Sequence, residues 1–352
     1  MHPLLVSYFK FVKRFLPVSS ETTSIGLDIG AGECKLVELR SVDGNFELVN
    51  WAIEPVLNAD VNGTIQKMLQ KLGSSTSSIY TAVFGKGTLI RYLDLPKMTS
   101  GDLKKSFSIE ADKYFPFAQD QIYTDCYVLN PKSSDKKISV IAAAAKKEII
   151  EQRVKLLTEL NVTFSFIGIN PVALANAFTV LGFEQPEKAD AAVALLDMGD
   201  SVSSLIIFMN KSPLFTRDIY LGGRDFTKRI SNTLGVSIEE AERLKKDPGD
   251  KKEEILKAGE AAVMNIIQEL RLSFDYFATE KNCEIGTLFL TGGASSLDGL
   301  TESFERNLEI KVKRWNPVTS LKLAKNSSVE EDMKKKFLKL GVAIGLALYE
   351  YD

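Results

Sequence analysis

A chain of 352 residues with 45% hydrophobic content can bury the cores of two lobes, and no stretch approaches the roughly 20 apolar residues of a transmembrane helix. Forty-four Lys and Arg against 46 Asp and Glu leave a formal charge of -2, so the molecule as a whole offers no attraction for nucleic acid. Its one histidine, His2, stands at the terminus, and Cys34, Cys126 and Cys283 form no C-x-x-C pair; Ser-His-Asp and Cys-His catalysis, histidine or thiolate metal sites and a disulfide framework are thereby excluded, and the cytosol is the expected compartment.

The first element is "MHPLLVSYFKFVKRFLP", residues 1–17. Helical spacing gathers Leu4, Leu5, Tyr8, Phe9, Phe11, Val12, Phe15 and Leu16 on one broad face and Ser7, Lys10, Lys13 and Arg14 on the other, with Pro17 as the stop. The cations lie inside the apolar pattern and no small-residue cleavage site follows, which is the wrong order for a signal peptide. Such a helix packs on the protein or a partner, or lies in the membrane interface; its three cations favour membrane or partner contact.

Three strands come next, "SIGLDIG", "CKLVELR" and "FELVNWAIEP", the last two joined by the turn "SVDGN". Residues 99 to 117, "TSGDLKKSFSIEADKYFPF", carry helical spacing at Leu103, Phe107, Ile109, Ala111 and Tyr114 and stop at Pro116. The strands "QIYTDCYVLN" and "ISVIAAAAK", the helix "KEIIEQRVKLLTELN" and the strand "TFSFIGI" then complete a compact α+β unit over 93–165, an insertion within a first lobe spanning 24–92 and 166–185. "NPVALANAFTVLGF" predicts a helix linking the lobes.

The second half, 190–352, repeats the opening. "AAVALLDMG", "SSLIIFM" and "LFTRDIYLGG" are again three strands, with "NKSP" as the matching turn. Helices follow at "GRDFTKRISNTLG", at "SIEEAERLKKD" with Ser237 and Glu240 as a capping box, and at "EEILKAGEAAVMNIIQELRLSFDYFATE". "GTLFLTGGASSLDGL" is a strand, a glycine turn and a helix start, and "KKKFLKLGVAIGLAL" a final helix.

Asp28-Ile29-Gly30 and Asp197-Met198-Gly199 break the two opening strands in the same way. Two Asp-x-Gly hairpins facing one another can grip a polyphosphate, because glycine lets backbone N–H groups approach the oxygens and the carboxylates can hold Mg²⁺ through its waters. Taken singly, each motif reads more readily as an ordinary hairpin. Thr291-Gly292-Gly293 is the third member of the set; it places bare backbone after a buried strand, where a nucleoside or phosphate can come close.

This order of motifs resembles the actin, Hsp70 and hexokinase ATPase superfamily. "LDLPKM", "EADKYFPF", "LGGRDFTKRI", "EEAERLKK", "ELRLSFDYF" and "LTGGASSLDGL" are similar to the PilM family of type IV pilus assembly, itself FtsA-like. The resemblance implies an α/β, actin-like two-lobed fold with duplicated βββα-type domains and an FtsA/PilM-type inserted subdomain. It implies ATP and Mg²⁺ between the lobes. The expected nucleotide-binding residues are Asp28, Gly30 and Lys35, then Asp197, Gly199 and Ser201, then Gly292 and Gly293, with Glu242 and Lys245 flanking the nucleoside and Asp28 and Asp197 on the metal. It further implies a cytoplasmic protein peripheral to the inner membrane, bound to the cytoplasmic N-terminal tail of a bitopic PilN-like protein and to other pilus components, with self-association open. Phe107, Tyr114, Phe115 and Phe117 are the candidate lining of the partner groove; core packing is an equally good reading for each.

Two departures argue for binding over turnover. Ala31, Gly32 and Glu33 stand where the superfamily usually has hydroxyl residues for phosphate, and Glu33 would repel a triphosphate unless it points away or meets the metal. Asn170 opens the linking helix, where it can orient a water but cannot accept its proton. A sugar or acetate kinase is disfavoured for want of an aspartate there, an Hsp70-like chaperone for want of a substrate domain, and a polymerising FtsA-like protein stays open.

Overall fold

A computed structural model describes residues 22–42, 44–72, 78–129, 136–186, 191–324 and 331–351, so the expected helix at 1–17 lies outside the described residues. The first Asp-x-Gly segment forms three consecutive antiparallel strands, β1 (Thr22–Ile29), β2 (Glu33–Val42) and β3 (Asn45–Pro55). Alternation on β2 serves two cores at once. Cys34 and Leu36 face helix α1 (Val61–Leu72), against its fully buried Ile65 and Met68, while Val37 and Leu39 face the middle of the molecule. Strand β4 (Ser78–Val83) runs parallel beside β1.

The chain then leaves this sheet to build the insertion: β5 (Thr88–Pro96), α2 (Ser100–Glu110), β6 (Ile122–Val128) and β7 (Lys137–Lys146). The strands form their own antiparallel sheet in the order β5-β7-β6. Helix α2 starts where Thr99 Oγ1 accepts the Asp102 N–H at 3.1 Å, and its Leu103 and Phe107 pack with Ala111 and Phe115 on Ile138, Val140, Ala142 and Ala144 of β7. Phe107 and Phe115 are 2% exposed, so these two aromatics are the subdomain's interior and not the lining of a surface groove. Tyr114 and Phe117 are half-buried at its edge.

The insertion is also shorter than expected. Helix α3 (Lys147–Glu159) buries Leu157 in the first-lobe core, and β8 (Phe164–Ile169) pairs parallel with β4. Both therefore belong to the first lobe, which a linear reading misses because a parallel partner is reached only through a crossover.

Helix α4 (Asn170–Leu181) leads into the second lobe, whose β9 (Ala192–Met198), β10 (Ser203–Met209) and β11 (Ser212–Ile219) repeat the opening triplet. The register repeats too: Asp28 lies opposite Lys35, and Asp197 opposite Ser204, each pair next to its hairpin turn. Helices α5 (Gly223–Leu234), α6 (Ile238–Lys246) and α7 (Lys252–Lys281) follow, then β12 (Ile285–Thr291), α8 (Leu300–Leu308) and β13 (Lys311–Arg314). This gives a five-stranded sheet, β11-β10-β9-β12-β13.

The last segment returns to the first lobe instead of completing the second. Strand β14 (Lys322–Leu323) extends the first sheet to β14-β3-β2-β1-β4-β8. The expected final helix is interrupted: α9 (Glu331–Phe337), a 3-10 turn at Leu338–Leu340, then α10 (Gly341–Ala347). Helix α10 crosses α4 and β1 at close backbone approaches. A Cβ at Gly345 would lie 1.8 Å from the Ala173 carbonyl oxygen, and one at Gly26 would lie 1.8 Å from that of Ala343. Around this crossing Phe178 stacks on Phe183, packs edge-on with Phe289 and Trp315 and lies tilted against Phe208, so one core joins both lobes through the two linking helices.

Candidate functional site

Each hairpin turn is set by its own glycine. Gly30 N–H donates to the Glu33 carbonyl at 3.1 Å and Gly199 N–H to that of Val202 at 3.2 Å, closing the two turns in the same way. A Cβ at Gly30 would meet that carbonyl at 2.8 Å and Lys35 Nζ at 2.9 Å, so the position admits no side chain. The second turn is pinned to the start of α5, where the carbonyls of Gly199 and Asp200 accept the N–H groups of Gly223 and Arg224, both at 2.8 Å. Gly292 has φ +85, a left-handed conformation that glycine alone adopts freely, and it packs its bare Cα beside Asp197, where a Cβ would fall 2.2 Å from Oδ1.

These pieces meet around one cavity of about 400 Å³ between the lobes. Asp28, Gly30, Lys35, Asp197, Gly199, Ser201, Glu242, Lys245, Gly292 and Gly293 all line it. Lys246, Lys335, Lys336, Lys339, Glu33, Asp200, Gly223 and Asn170 line it as well, and sequence reasoning did not place the first four there. The lysine-rich run "KKKFLKLG" just before the second linking helix was the available signal. Six lysines and five carboxylates face this space, so its charges nearly cancel.

The two aspartates differ in their commitments. Asp28 is buried, pairs with Lys35 Nζ at 3.2 Å, and has Asn170 Nδ2 3.5 Å from its Oδ1. Burial alone would depress the Lys35 ammonium, but Asp28, Glu33 and Asp197 together hold it above the ordinary lysine value. Asp197 makes no ion pair among the described residues. Burial pushes its carboxyl up to about 6, Lys35 opposing and the negative charges of Asp28 and Asp218 adding to the rise. The Oδ1 of Asn170 is buried with no hydrogen-bond partner. A charge-starved carboxylate and an orphaned amide oxygen in one cleft are what a cation or ordered water relieves. No cluster of three or more His, Cys, Asp or Glu placed to hold a metal occurs among the described residues, so a metal here would draw its other ligands from water and the ligand itself.

Behind the first turn, Arg153 of α3 donates from Nη1 to Thr81 Oγ1 at 3.0 Å and to the Ala82 carbonyl at 2.7 Å. Thr81 Oγ1 in turn donates to the Leu27 carbonyl at 2.7 Å. Burial lowers the Arg153 pKa and the nearby Asp28 opposes that shift, so this cation supports the Asp28 charge from the far side of the sheet.

At the other end, Glu242 and Lys245 point into the cleft. Glu242 pairs with Lys245 at 2.6 Å and Lys246 at 3.2 Å, and buried Thr227 donates to it at 2.5 Å. Burial would raise the Glu242 carboxyl, but its bonds to Lys245 and Thr227 hold it below the usual range. Lys245 is sheltered, at 9% side-chain exposure, while Glu242 keeps 36%. The Ser237 cap forms, its Oγ accepting the Glu240 N–H at 3.1 Å, while the Glu240 carboxylate turns to Arg243 and not back to the cap.

Two lobes, each built on a strand triplet broken by Asp-x-Gly, joined by two crossing helices and closing on one cavity, define an actin-like α/β protein. Solved structures share the architecture. A PilM-PilN type IV pilus biogenesis complex superposes with TM-score 0.81 at 24% identity over 94% of this chain and 98% of that one. The ethanolamine utilization protein EutJ from Carboxydothermus hydrogenoformans gives TM-score 0.53 at 16% identity, over 93% and 89% of the two chains. The family described as type IV pilus assembly protein PilM matches residues 26–351, and the chain belongs to that family. Among curated relatives, the cell division protein FtsA of Bacillus subtilis is 34% identical over 103 residues, 29% of this chain and 22% of that protein. FtsA of Enterococcus faecalis is 26% identical over 194 residues, 49% of this chain and 43% of that protein. The chain therefore matches less than half the length of either relative.

Proposed function

We propose that this protein is a nucleotide-binding scaffold of type IV pilus assembly: ATP with Mg²⁺ sits between the lobes and the assembled form presents a surface to a membrane partner. The observation that carries the reading is the convergence of both Asp-x-Gly turns, the Thr-Gly-Gly loop and the Glu242–Lys245 pair on one cavity of about 400 Å³, within the usual size of small-ligand sites. The backbone around Gly30, Gly199, Gly292 and Gly293 would approach the ligand, Lys35 and Lys245 would meet its charge, and Asp197 would hold Mg²⁺ through water with Asp28 beside it. Mg²⁺ would supply neutralisation of the triphosphate.

Hydrolysis is slow or absent on this reading. Asn170 offers an amide where proton acceptance is needed, and it already reaches toward Asp28. The partner is the cytoplasmic N-terminal tail of a PilN-like inner-membrane protein, a reading supported by the similar PilM-PilN complex, and the docking region is the inserted subdomain with the adjoining first lobe. Tyr114 and Phe117 keep exposed surface there, with Phe107 and Phe115 supporting them from beneath. Such a protein works in the cytoplasm, peripheral to the inner membrane; no helix among the described residues is long and apolar enough to cross one.

Calorimetric titration with Mg²⁺ and ATP, alongside co-purification of membrane proteins with the tagged chain, tests both halves. Saturable binding weakened by Asp197→Ala and recovery of a PilN-like protein are the expected results. Absence of nucleotide binding removes the first half, and absence of a PilN-like protein from the captured set removes the second.

A further inference from the structure

Glu33 stands in the first phosphate turn, where a hydroxyl would suit a phosphate better, and its carboxylate does not hang free. Both oxygens accept from Lys339 Nζ at 2.7 Å. Burial would raise the Glu33 carboxyl, yet Lys339, helped by Lys35 and Lys246, holds it below the ordinary glutamate value. The side chains of Lys339 and Glu33 are only 19% and 25% exposed, so the pair is sheltered from most of the screening that makes surface ion pairs weak.

Lys339 reaches Glu33 from the other wall. It lies in the 3-10 turn that interrupts the last helix, and its stem passes over Gly293, where a Cβ would sit 3.4 Å from Lys339 Cε. That turn is clamped to the second lobe: the Leu338 carbonyl accepts the Gly292 N–H at 2.8 Å and Thr291 Oγ1 at 2.9 Å. The lysine thus spans from the Thr-Gly-Gly loop to the Asp-x-Gly turn of the opposite lobe, along a cleft whose two turns lie close, a Cβ at Gly32 falling 3.2 Å from Asp200 Cγ.

Resting on the nucleotide reading above, we propose that Lys339 is a phosphate-binding residue of the cleft and that Glu33 is the internal anion it gives up when a polyphosphate enters. Without ligand, the Glu33 carboxylate occupies the ammonium and ties the lobes together. With ligand, phosphate oxygen replaces carboxylate oxygen; no proton moves and no covalent bond changes. Glu33 remains beside the turn after the exchange and opposes the incoming charge, more strongly for a triphosphate than for a diphosphate. The arrangement therefore narrows the preference for ATP over ADP and lets the closed form persist without either.

The test is calorimetry with ATP and with ADP, both with Mg²⁺, on wild type, Glu33→Gln, Lys339→Gln and the double variant, with thermal melting to show that each is folded. Glu33→Gln should tighten ATP binding roughly tenfold, the scale of one charge interaction at a partly solvated site, and ADP binding less. Lys339→Gln should weaken ATP binding, and the double variant, which has lost the lysine as well as the opposing carboxylate, should bind ATP more weakly than Glu33→Gln. Lys339→Arg, which keeps the charge, covers the case in which the glutamine variant does not fold, and should retain most of the affinity. Wild type that binds ATP with Glu33→Gln unchanged or weaker overturns the exchange and leaves the nucleotide reading standing. A double variant that binds ATP as tightly as Glu33→Gln overturns the role of Lys339. If neither wild type nor Glu33→Gln binds any nucleotide, the nucleotide reading fails and this inference with it.

Discussion

Replacing Asp197 by asparagine should stabilise the ligand-free protein while weakening its hold on Mg²⁺ and nucleotide. Asp197 carries its charge in a half-buried position beside Asp28, with Lys35 as its nearest compensation. A carboxyl pushed from 3.8 up to about 6 costs the folded state about 3 kcal/mol at any pH above both values. Partial solvent contact makes that the upper end. The sign follows from the direction of the shift: well below 3.8 the group is neutral folded and unfolded, and the difference between variant and wild type vanishes. It grows as the pH climbs toward 6 and levels off above it. For a chain of this length the unfolding entropy is about 0.7 kcal/mol per kelvin, so the full effect is a rise of about 4 °C in melting temperature. Melting curves of both proteins from pH 4 to pH 8 without nucleotide read it directly. A variant that melts below wild type at pH 8, or a gap that does not shrink on acidification, refutes the argument that this carboxylate is kept at a cost in stability. The same group predicts that Mg²⁺-dependent nucleotide affinity in wild type falls roughly tenfold between pH 7 and pH 5, as protons compete for Asp197.

Gly345→Ala should destabilise the fold by about 1 to 3 kcal/mol or more, since its methyl would overlap the Ala173 carbonyl at the crossing of α4 and α10; a melting temperature within a degree of wild type counts against that packing. Phe107→Asp should unfold the inserted subdomain, seen as new protease cleavage between β5 and β7, whereas Tyr114→Asp should leave the fold intact and weaken capture of a PilN-like peptide. Normal capture by folded Tyr114→Asp and Phe117→Asp proteins would displace the docking region from this edge. Purified protein with ATP and Mg²⁺ should turn over slower than about one per minute, far below the usual enzyme range; a rate of about one per second without partners would show that Asn170 does not limit the chemistry.

Period-two alternation around Asp28 and Asp197 made both strand triplets legible in the amino-acid order, because each strand buries alternate residues and the Asp-x-Gly breaks can form only a tight turn. The helices α4, α5, α6 and α7 were legible for the same kind of reason; the ten residues that the family resemblance placed at the cleft line one cavity. Pairing between distant segments was not legible. Nothing local says that β8 lies beside β4, that β14 joins β3, or that the final segment leaves the second lobe for the first. Aromatic density at "KYFPF" could not distinguish a groove from a core, because Phe107 and Phe115 acquire their burial from the subdomain core that β6 and β7 help to build. Glu33 looked like a defect in a phosphate turn for an equally physical reason: its charge is answered by Lys339, 306 residues away in sequence and 2.7 Å away in space. Local sequence decides periodicity and turns, whereas the partner of a buried charge is settled only when the two linking helices bring the ends of the chain together.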